Sequence, residues 1–282
     1  MDGTALARRI VARSAATAAE ITRRTGTAPC LATVLVGDDP AAVTYVRMKR
    51  ARCEKAGIRS RQPALPATTT TAELVETLTG LSRDPEVHGI LLQHPVGPHI
   101  DERAAFEAIA PHKDVDGVTM RSFAAMSFGL PGFVSCTPGG ILRLLDEYDV
   151  DLAGKRAVVV GRSALLGKPV GMLLLARDAT VTYCHSRTTD LASVVSEADV
   201  LVAAVGRPRF LRGADIQPGA VVIDAGYHPG NVGDNDVDTA RERVGLITPV
   251  PGVGPMTIAV LPAQTVDAAM EQTAPGIALD AG

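Results

Sequence analysis

Tryptophan is absent, and aromatic residues make up only 3% of the 282-residue chain. That scarcity excludes the ring-stacking platforms that hold single-stranded nucleic acid. No excess of one charge is present either: 28 Lys and Arg face 31 Asp and Glu, for a net charge of −3. Such a balance offers no attraction to a phosphate backbone. Apolar runs approaching the roughly 20 residues that a bilayer core demands are also missing. The first 25 residues lack a signal-peptide core and read as an amphipathic helix interrupted by Arg8, Arg9 and Arg13. The expectation is a cytoplasmic protein, off membranes and off nucleic acid, with a small-molecule partner. Cys30, Cys53, Cys136 and Cys184 form no C-x-x-C pair, and no histidine lies at zinc-finger spacing from them. Each thiol is read as buried and reduced, and no metal site is expected.

What is present is length, apolar content and alternation. Hydrophobic residues are 46% and charged residues 21%, the profile of a globular chain long enough for two domains. Leu6, Ile10, Ala18 and Ile21 recur at helical spacing, predicting a helix over 4–25 stopped by Gly26. LATVLVG (31–37) is a buried strand, followed by a helix from about Ala41 to Gly57. Thr70 with Glu73 forms a capping box that opens the next helix. VHGILLQ (87–93) is a strand, and DERAAFEAIA (101–110) a helix ended by Pro111. The pattern then restarts. Thr137 and Pro138 read as N-cap and first residue of a helix through Tyr148. RAVVVG (156–161) is a strand, then comes a glycine turn, then a helix from about Gly167. ATVTYC (179–184), DVLVAAVG (199–206) and AVVIDAG (220–226) are three more strands, whose β-branched runs suit burial on both faces.

Strand–helix alternation of this kind gives an α/β fold of two domains. The N-terminal one reads as an α/β domain and the other as a Rossmann-like doubly wound dinucleotide-binding domain. The expected division is 1–138 plus 256–282 for the first and 139–255 for the second, with the boundary in LPGFVSCTPGG (130–140). A last helix is expected near 256–272, with either half open to it as a packing partner, and fraying after Pro275.

VVVGRSALLGKP (158–169) joins a strand to a helix, where backbone N–H groups and a helix N-terminus meet phosphate. Its spacing is Gly161, Ser163, Gly167; the middle glycine of the G-x-G-x-x-G fingerprint is missing. A tight turn without ligand fits the pattern as well. The next strand ends in CHSRTTD (184–190), with Ser186 and Arg187 where a carboxylate for the ribose hydroxyls would stand. Arg162 lies in the turn itself. Arginine accommodates a 2′-phosphate that a carboxylate would repel, so the predicted cofactor is NADP rather than NAD.

Tyr45 and Lys49 lie four residues apart on one predicted helix face. Y-x-x-x-K also occurs in short-chain dehydrogenases, but there it follows the nucleotide turn; here it precedes it by about a hundred residues. Gln93 ends a strand at the edge where parallel sheets place ligands. KDVDG (113–117) contributes Asp114 and Asp116 before a glycine. Taken singly, these are a snorkelling lysine, a strand-end amide and a turn.

Taken in order, the blocks YVRMKRARCEKAGI, GILLQHP, PHKDVDG, CTPGGI, GRSALLGKP, TVTYCHSRT, AAVGRP, PGAVVIDAG and ITPVPGVGPMT resemble the bifunctional methylenetetrahydrofolate dehydrogenase/cyclohydrolase family over about residues 2–270. The resemblance implies that the N-terminal α/β domain is the catalytic domain, and that Lys49 is the catalytic lysine, Tyr45 its aromatic neighbour over the folate and Gln93 the amide contacting that lysine. Asp116 is implied to hold the pteridine, and the loop with Pro251, Gly252 and Gly254 to border the substrate. Gly161, Arg162, Ser163, Ser186 and Arg187 fall at dinucleotide-binding positions. Tetrahydrofolate one-carbon derivatives, NADP and a homodimer with an interdomain cleft complete the implied picture.

Four departures from the family pattern lie toward the substrate. PGVGPMT (251–257) is one glycine short, His94 stands where leucine is usual, Ala42 replaces a small hydroxyl residue, and VTMRS (118–122) replaces F-H-P-x-N. Two other readings are therefore kept beside the bifunctional enzyme: an NADP-dependent dehydrogenase with an altered substrate or lost cyclohydrolase activity, and a non-catalytic folate- or dinucleotide-binding dimer.

Overall fold

The computed structural model describes residues 1–273 with the exception of Pro249, so the expected fraying after Pro275 lies outside the described residues. The chain divides into two compact units. One comprises Arg9–Ala125, Pro131–Val134 and the chain from Ile258; the other comprises Met1–Arg8, Met126–Leu130 and Ser135–Thr257.

The first unit is built on a parallel sheet. Helix α1 (Gly3–Thr25) enters it from the second unit, carries the predicted apolar stripe buried and stops at Gly26 with φ 75°. Strand β1 (Cys30–Val36) is almost wholly buried. Helix α2 (Pro40–Lys55) starts because the Asp39 carboxylate accepts from Ala42 N at 2.8 Å and Pro40 presets its first turn. Strands β2 (Arg59–Arg61), β3 (Ala64–Leu65) and β4 (Gly89–Leu92) all pair parallel with β1. Between β3 and β4 runs α3 (Thr71–Arg83), whose Thr70–Glu73 capping box forms in both directions. Short helices α4 (Glu102–Glu107) and α5 (Met120–Phe128) follow.

The second unit opens with α6 (Cys136–Glu147). Its N-cap is Ser135, two residues before the predicted Thr137. The Thr137 hydroxyl is engaged elsewhere, 2.9 Å from Thr257 Oγ1, and Pro138 still falls in the first turn, where its missing N–H costs nothing. Strand β5 (Arg156–Val160), helix α7 (Gly167–Leu175), strand β6 (Thr180–Cys184), helix α8 (Leu191–Val195), strands β7 (Val200–Ala203) and β8 (Val221–Asp224), helix α9 (Val237–Ala240) and strand β9 (Leu246–Ile247) come next. All five strands are parallel, in the order β6-β5-β7-β8-β9, so the chain moves outward from β5 in both directions. That is a doubly wound sheet.

Alternate residues of one strand serve two cores. Ala157, Val159, Val200, Val202 and Ile223 pack with Ile141, Leu145, Val170 and Leu174. Val158, Val160, Leu201, Ala203 and Val222 pack with Val195, Leu211, Ile216 and Ala240. Burial on both faces thus holds for β5, β7 and β8, but β6 departs from it. It is an edge strand whose burial alternates until Cys184, with Thr180 and Thr182 exposed. Its covered face is held by Tyr183, whose hydroxyl donates to Lys168 O at 2.8 Å over Gly171.

The last helix, α10 (Val253–Thr273), begins in the second unit and ends in the first. There Gln264 Nε2 donates to Val115 O and Val134 O at 2.7 and 3.0 Å. Gln272 Nε2 donates to His88 O at 2.8 Å and His112 O at 3.2 Å. At the other end of the chain, the Met1 ammonium donates to Ile247 O at 2.6 Å within the second unit.

Candidate active site

In the first unit the i, i+4 spacing on α2 brings Tyr45 and Lys49 together. Lys49 is buried, 5% exposed, with Nζ 4.6 Å from the centre of the Tyr45 ring. Gln93 follows β4 and extends its ladder by donating its N–H to Val34 O at 2.8 Å. Its side-chain Nε2 donates to His94 O at 2.9 Å, which turns Oε1 toward Lys49, where it accepts from Nζ at 3.3 Å. Among the described residues no carboxylate pairs with Lys49. A buried amine normally requires an opposite charge; this one has a ring face and an oriented amide oxygen, so its remaining hydrogen-bonding capacity is open to a reactant. The His94 ring meets Phe106 edge-on, with centroids 5.8 Å apart.

Asp114 and Asp116 divide the work of the KDVDG turn. Asp114 is fully buried and accepts from Val118 N, Thr119 N and Ser122 Oγ at 3.1, 2.9 and 2.6 Å. Its role is to lock the turn. Asp116 is half-buried, and no hydrogen bond or ion pair engages its carboxylate among the described residues.

The second unit carries the strand–turn–helix of 158–169. Gly161 has φ 139°, and a Cβ on it would lie 2.3 Å from Ala204 O. A Cβ on Gly167 would lie 2.5 Å from Gly161 O. The first and last glycines are therefore compelled by close backbone approach. The position between them does not need one: Ser163 accepts from Gly167 N at 3.1 Å and shapes the turn with its hydroxyl. The neighbouring turn after β6 is tied on by Gly161 N donating to Cys184 O at 2.9 Å. Arg162, Ser163, Ser186 and Arg187 are all exposed, and no described hydrogen bond or ion pair engages either guanidinium. The first carboxylate after β6 is Asp190, which caps α8 by accepting from Ser193 N. Glycines that admit phosphate to backbone, the start of α7 and two available arginines fit a phosphorylated dinucleotide.

Pro251, Gly252 and Gly254 belong to the second unit, at the start of α10. Pro251 is exposed. Gly252 is buried, with its carbonyl so close to Gly3 that a Cβ on Gly3 would lie 2.1 Å away. Gly254 has open space around its α-carbon.

Sequence reasoning missed buried Asp224 and Asp234 and half-buried His228, which form a polar cluster in the second unit; a carboxylate closing the apolar run VVID was the available signal. The four thiols are free and buried, and burial pushes Cys53 up to about 12. Among the described residues no three His, Cys, Asp or Glu side chains cluster as metal ligands, and no helix is long and apolar enough to cross a membrane.

A doubly wound unit with a phosphate-type glycine turn, on the same chain as a unit with a buried lysine, defines the class: a dinucleotide-dependent α/β enzyme. Residues 1–116 match the catalytic domain of tetrahydrofolate dehydrogenase/cyclohydrolase, and residues 135–273 match its NAD(P)-binding domain. The chain belongs to the tetrahydrofolate dehydrogenase/cyclohydrolase family. It is 82% identical over 273 residues to bifunctional protein FolD 1 of Streptomyces avermitilis, covering 96% of this chain and 95% of that protein. Among crystal structures, the bifunctional FolD enzyme of Campylobacter jejuni superposes with a TM-score of 0.94 at 39% identity, covering 96% and 98% of the two chains. The Trypanosoma brucei FolD, complexed with NADP cofactor and inhibitor, superposes at 0.91 with 36% identity over 96% and 97%.

Proposed function

We propose that the chain oxidises 5,10-methylenetetrahydrofolate to 5,10-methenyltetrahydrofolate with NADP and hydrolyses the product to 10-formyltetrahydrofolate. The observation that carries the reading is the buried Lys49, set between the Tyr45 ring and the fixed Oε1 of Gln93 with no counter-ion among the described residues. An altered substrate and a non-catalytic binder are not favoured, since bifunctional relatives match nearly the whole chain at high identity.

Asp116 is the substrate anchor. Its unengaged carboxylate can accept two adjacent N–H donors on one edge of a pterin. Tyr45 provides a ring face for the folate. The turn with Gly161, Arg162 and Ser163, together with Ser186 and Arg187, holds NADP, and the arginines read the 2′-phosphate. Bound there, the nicotinamide supplies the hydride acceptor for the methylene bridge, a step that depends on positioning more than on a protein base. Hydrolysis begins when water adds to the methenyl carbon. Lys49 takes one proton from that water and passes it to the folate nitrogen whose bond to the one-carbon unit breaks as the ring opens; the adduct's hydroxyl proton leaves to solvent as its oxygen becomes the carbonyl of the formyl group on the other nitrogen. The Gln93 amide, fixed by its own bond to His94 O, orients the amine for this exchange. Pro251, Gly252 and Gly254 border the substrate.

On this reading the first unit is the folate domain, and the second, which takes in Met1–Arg8, Met126–Leu130 and Ser135–Thr257, is the NADP domain. The protein works in the cytoplasm as a homodimer through its dinucleotide domains; the half-exposed β6 edge suits such pairing. The test is the purified protein with methylenetetrahydrofolate and NADP, then with methenyltetrahydrofolate alone. Reduction of NADP and decay of the methenyl chromophore are both expected. Binding of dinucleotide with neither reaction would refute the proposal, and light scattering at monomer mass would refute the dimer.

A further inference from the structure

Two buried carboxylates of the second unit have no part in the mechanism above. Asp224, 2% exposed, ends β8; Asp234 is fully buried in the loop that follows. Among the described residues neither is paired with lysine or arginine. Asp224 Oδ1 accepts from Gly226 N and Asp234 N, both at 2.9 Å, and its Oδ2 from Asn235 N at 2.8 Å. Asp234 in turn grips a different loop. Its Oδ2 accepts from Val205 N at 2.7 Å and Gly206 N at 2.9 Å; its Oδ1 accepts from Arg207 N at 2.9 Å and lies 2.9 Å from His228 Nε2. The carboxylates occupy space that Cβ atoms would need: one on Gly226 would lie 2.4 Å from Asp234 Oδ1, and one on Gly233 would lie 2.0 Å from Asp224 Oδ2.

Three consecutive N–H groups converging on one carboxylate form a backbone nest, a geometry that binds anions. Here the nest is filled from within the chain. Its location gives the filling a purpose. Residues 205–207 continue directly from Ala204, whose N–H donates to Val160 O at 2.8 Å and whose carbonyl is the atom that forbids a side chain on Gly161. The segment held by Asp234 is therefore a wall of the glycine turn. With a carboxylate already seated in the nest, an incoming phosphate is repelled from it and directed to the turn 161–167 and the start of α7.

We propose that Asp234 is a positioning residue for the dinucleotide: it clamps residues 205–207 against the 161–167 turn, with Asp224 and His228 as its supports. The proposal rests on the assignment of NADP to this unit. Asp234→Asn keeps the shape but turns two acceptor sites into donors facing N–H groups. Its dissociation constant for NADPH, followed by fluorescence titration, should rise at least about tenfold more than its rate of methenyltetrahydrofolate hydrolysis falls, that reaction needing no dinucleotide. His228→Leu removes one of four donors and should weaken NADPH about threefold, whereas His228→Gln, which retains an N–H donor, should restore affinity. Folded Asp234→Asn with unchanged NADPH affinity would overturn the proposal, as would equal losses of affinity and hydrolysis. If Asp234→Asn does not fold, His228→Leu decides: wild-type affinity overturns the proposal, and weakening relieved by His228→Gln upholds it. Failure of the wild-type protein to bind NADPH would instead remove the cofactor assignment itself.

Discussion

The lysine site of the first unit and the glycine turn of the second solve opposite problems. Lys49 and Gln93 are buried side chains brought together from 44 residues apart, and their contact is made by side-chain atoms. The turn at 161–167 is made by close backbone approach and one hydroxyl, that of Ser163, and its polar side chains are exposed. Proton exchange with the reacting groups requires an amine held at a fixed place, so the first site depends on a few buried side-chain atoms. Phosphate recognition requires open N–H groups and long cations that reach outward, so the second depends on shape. The two should therefore fail differently when altered.

The largest break is expected at the lysine. Lys49→Met should lower methenyl hydrolysis by about 10²–10⁴-fold while NADPH titration is unaffected, because the loss is one of proton transfer. Retained hydrolysis would take the amine out of the mechanism. Next comes the backbone. Gly161→Ala forces a Cβ to within 2.3 Å of Ala204 O at φ 139°. It should cost about 1–3 kcal/mol of second-unit stability and impair dinucleotide binding, read by chemical denaturation and titration. A silent alanine there would mean that the turn is not shape-limited. Arg162→Ala is a smaller change at an exposed side chain. It should weaken NADP about five- to tenfold and NAD little; equal losses would mean that Arg162 does not read the 2′-phosphate.

The smallest effect separates the units by acid. His88, 3% exposed, accepts Cys30 N–H through Nδ1 at 3.1 Å. Burial first, then the charges of Lys113 and Arg59, hold it below the ordinary histidine value of 6.5. The unfolded chain thus takes up a proton before the folded one, so this contribution to stability is complete above about pH 6.5 and declines as pH falls below it. Asp224 runs the other way. Burial raises it above the usual carboxylate value of 3.8, so the folded chain takes up the proton first, and the cost of its charge is relieved as pH falls toward that value. Hydrogen exchange resolved by unit should show acid loosening the first unit more than the second, and His88→Gln should flatten the first slope. An unchanged slope in that variant would assign the acid response to other groups.

How much of this was legible depended on how local the cause was. Apolar runs located β1, β4, β5, β7 and β8, because burial on both faces writes itself into consecutive residues. The capping box was readable because all its partners lie within four residues. The same logic misplaced the start of α6: Thr137 looks like a cap, but its hydroxyl is spent on Thr257, 120 residues away. Strand β6 looked like its neighbours because composition does not state which strand is the edge. Lys49 stood out by its spacing from Tyr45, while its bond to Gln93 rested on family likeness until the geometry appeared. Of the Asp224–Asp234 cluster only the carboxylate closing VVID is marked in the sequence; the partners at 205–207 lie some 28 residues from Asp234 with no periodicity to join them.

The exchange of chain ends between the units has a consequence for synthesis. Translation delivers the lysine unit's sheet early, yet carbonyls at Val115, Val134, His88 and His112 wait for amides at Gln264 and Gln272. The dinucleotide unit has its own N-terminal strap, Met1 on Ile247, and all its residues by Thr257. A ribosome therefore releases the half it began first as the half that is finished last, and a transcript cut short after residue 257 would encode a complete nucleotide fold attached to an unclosed partner.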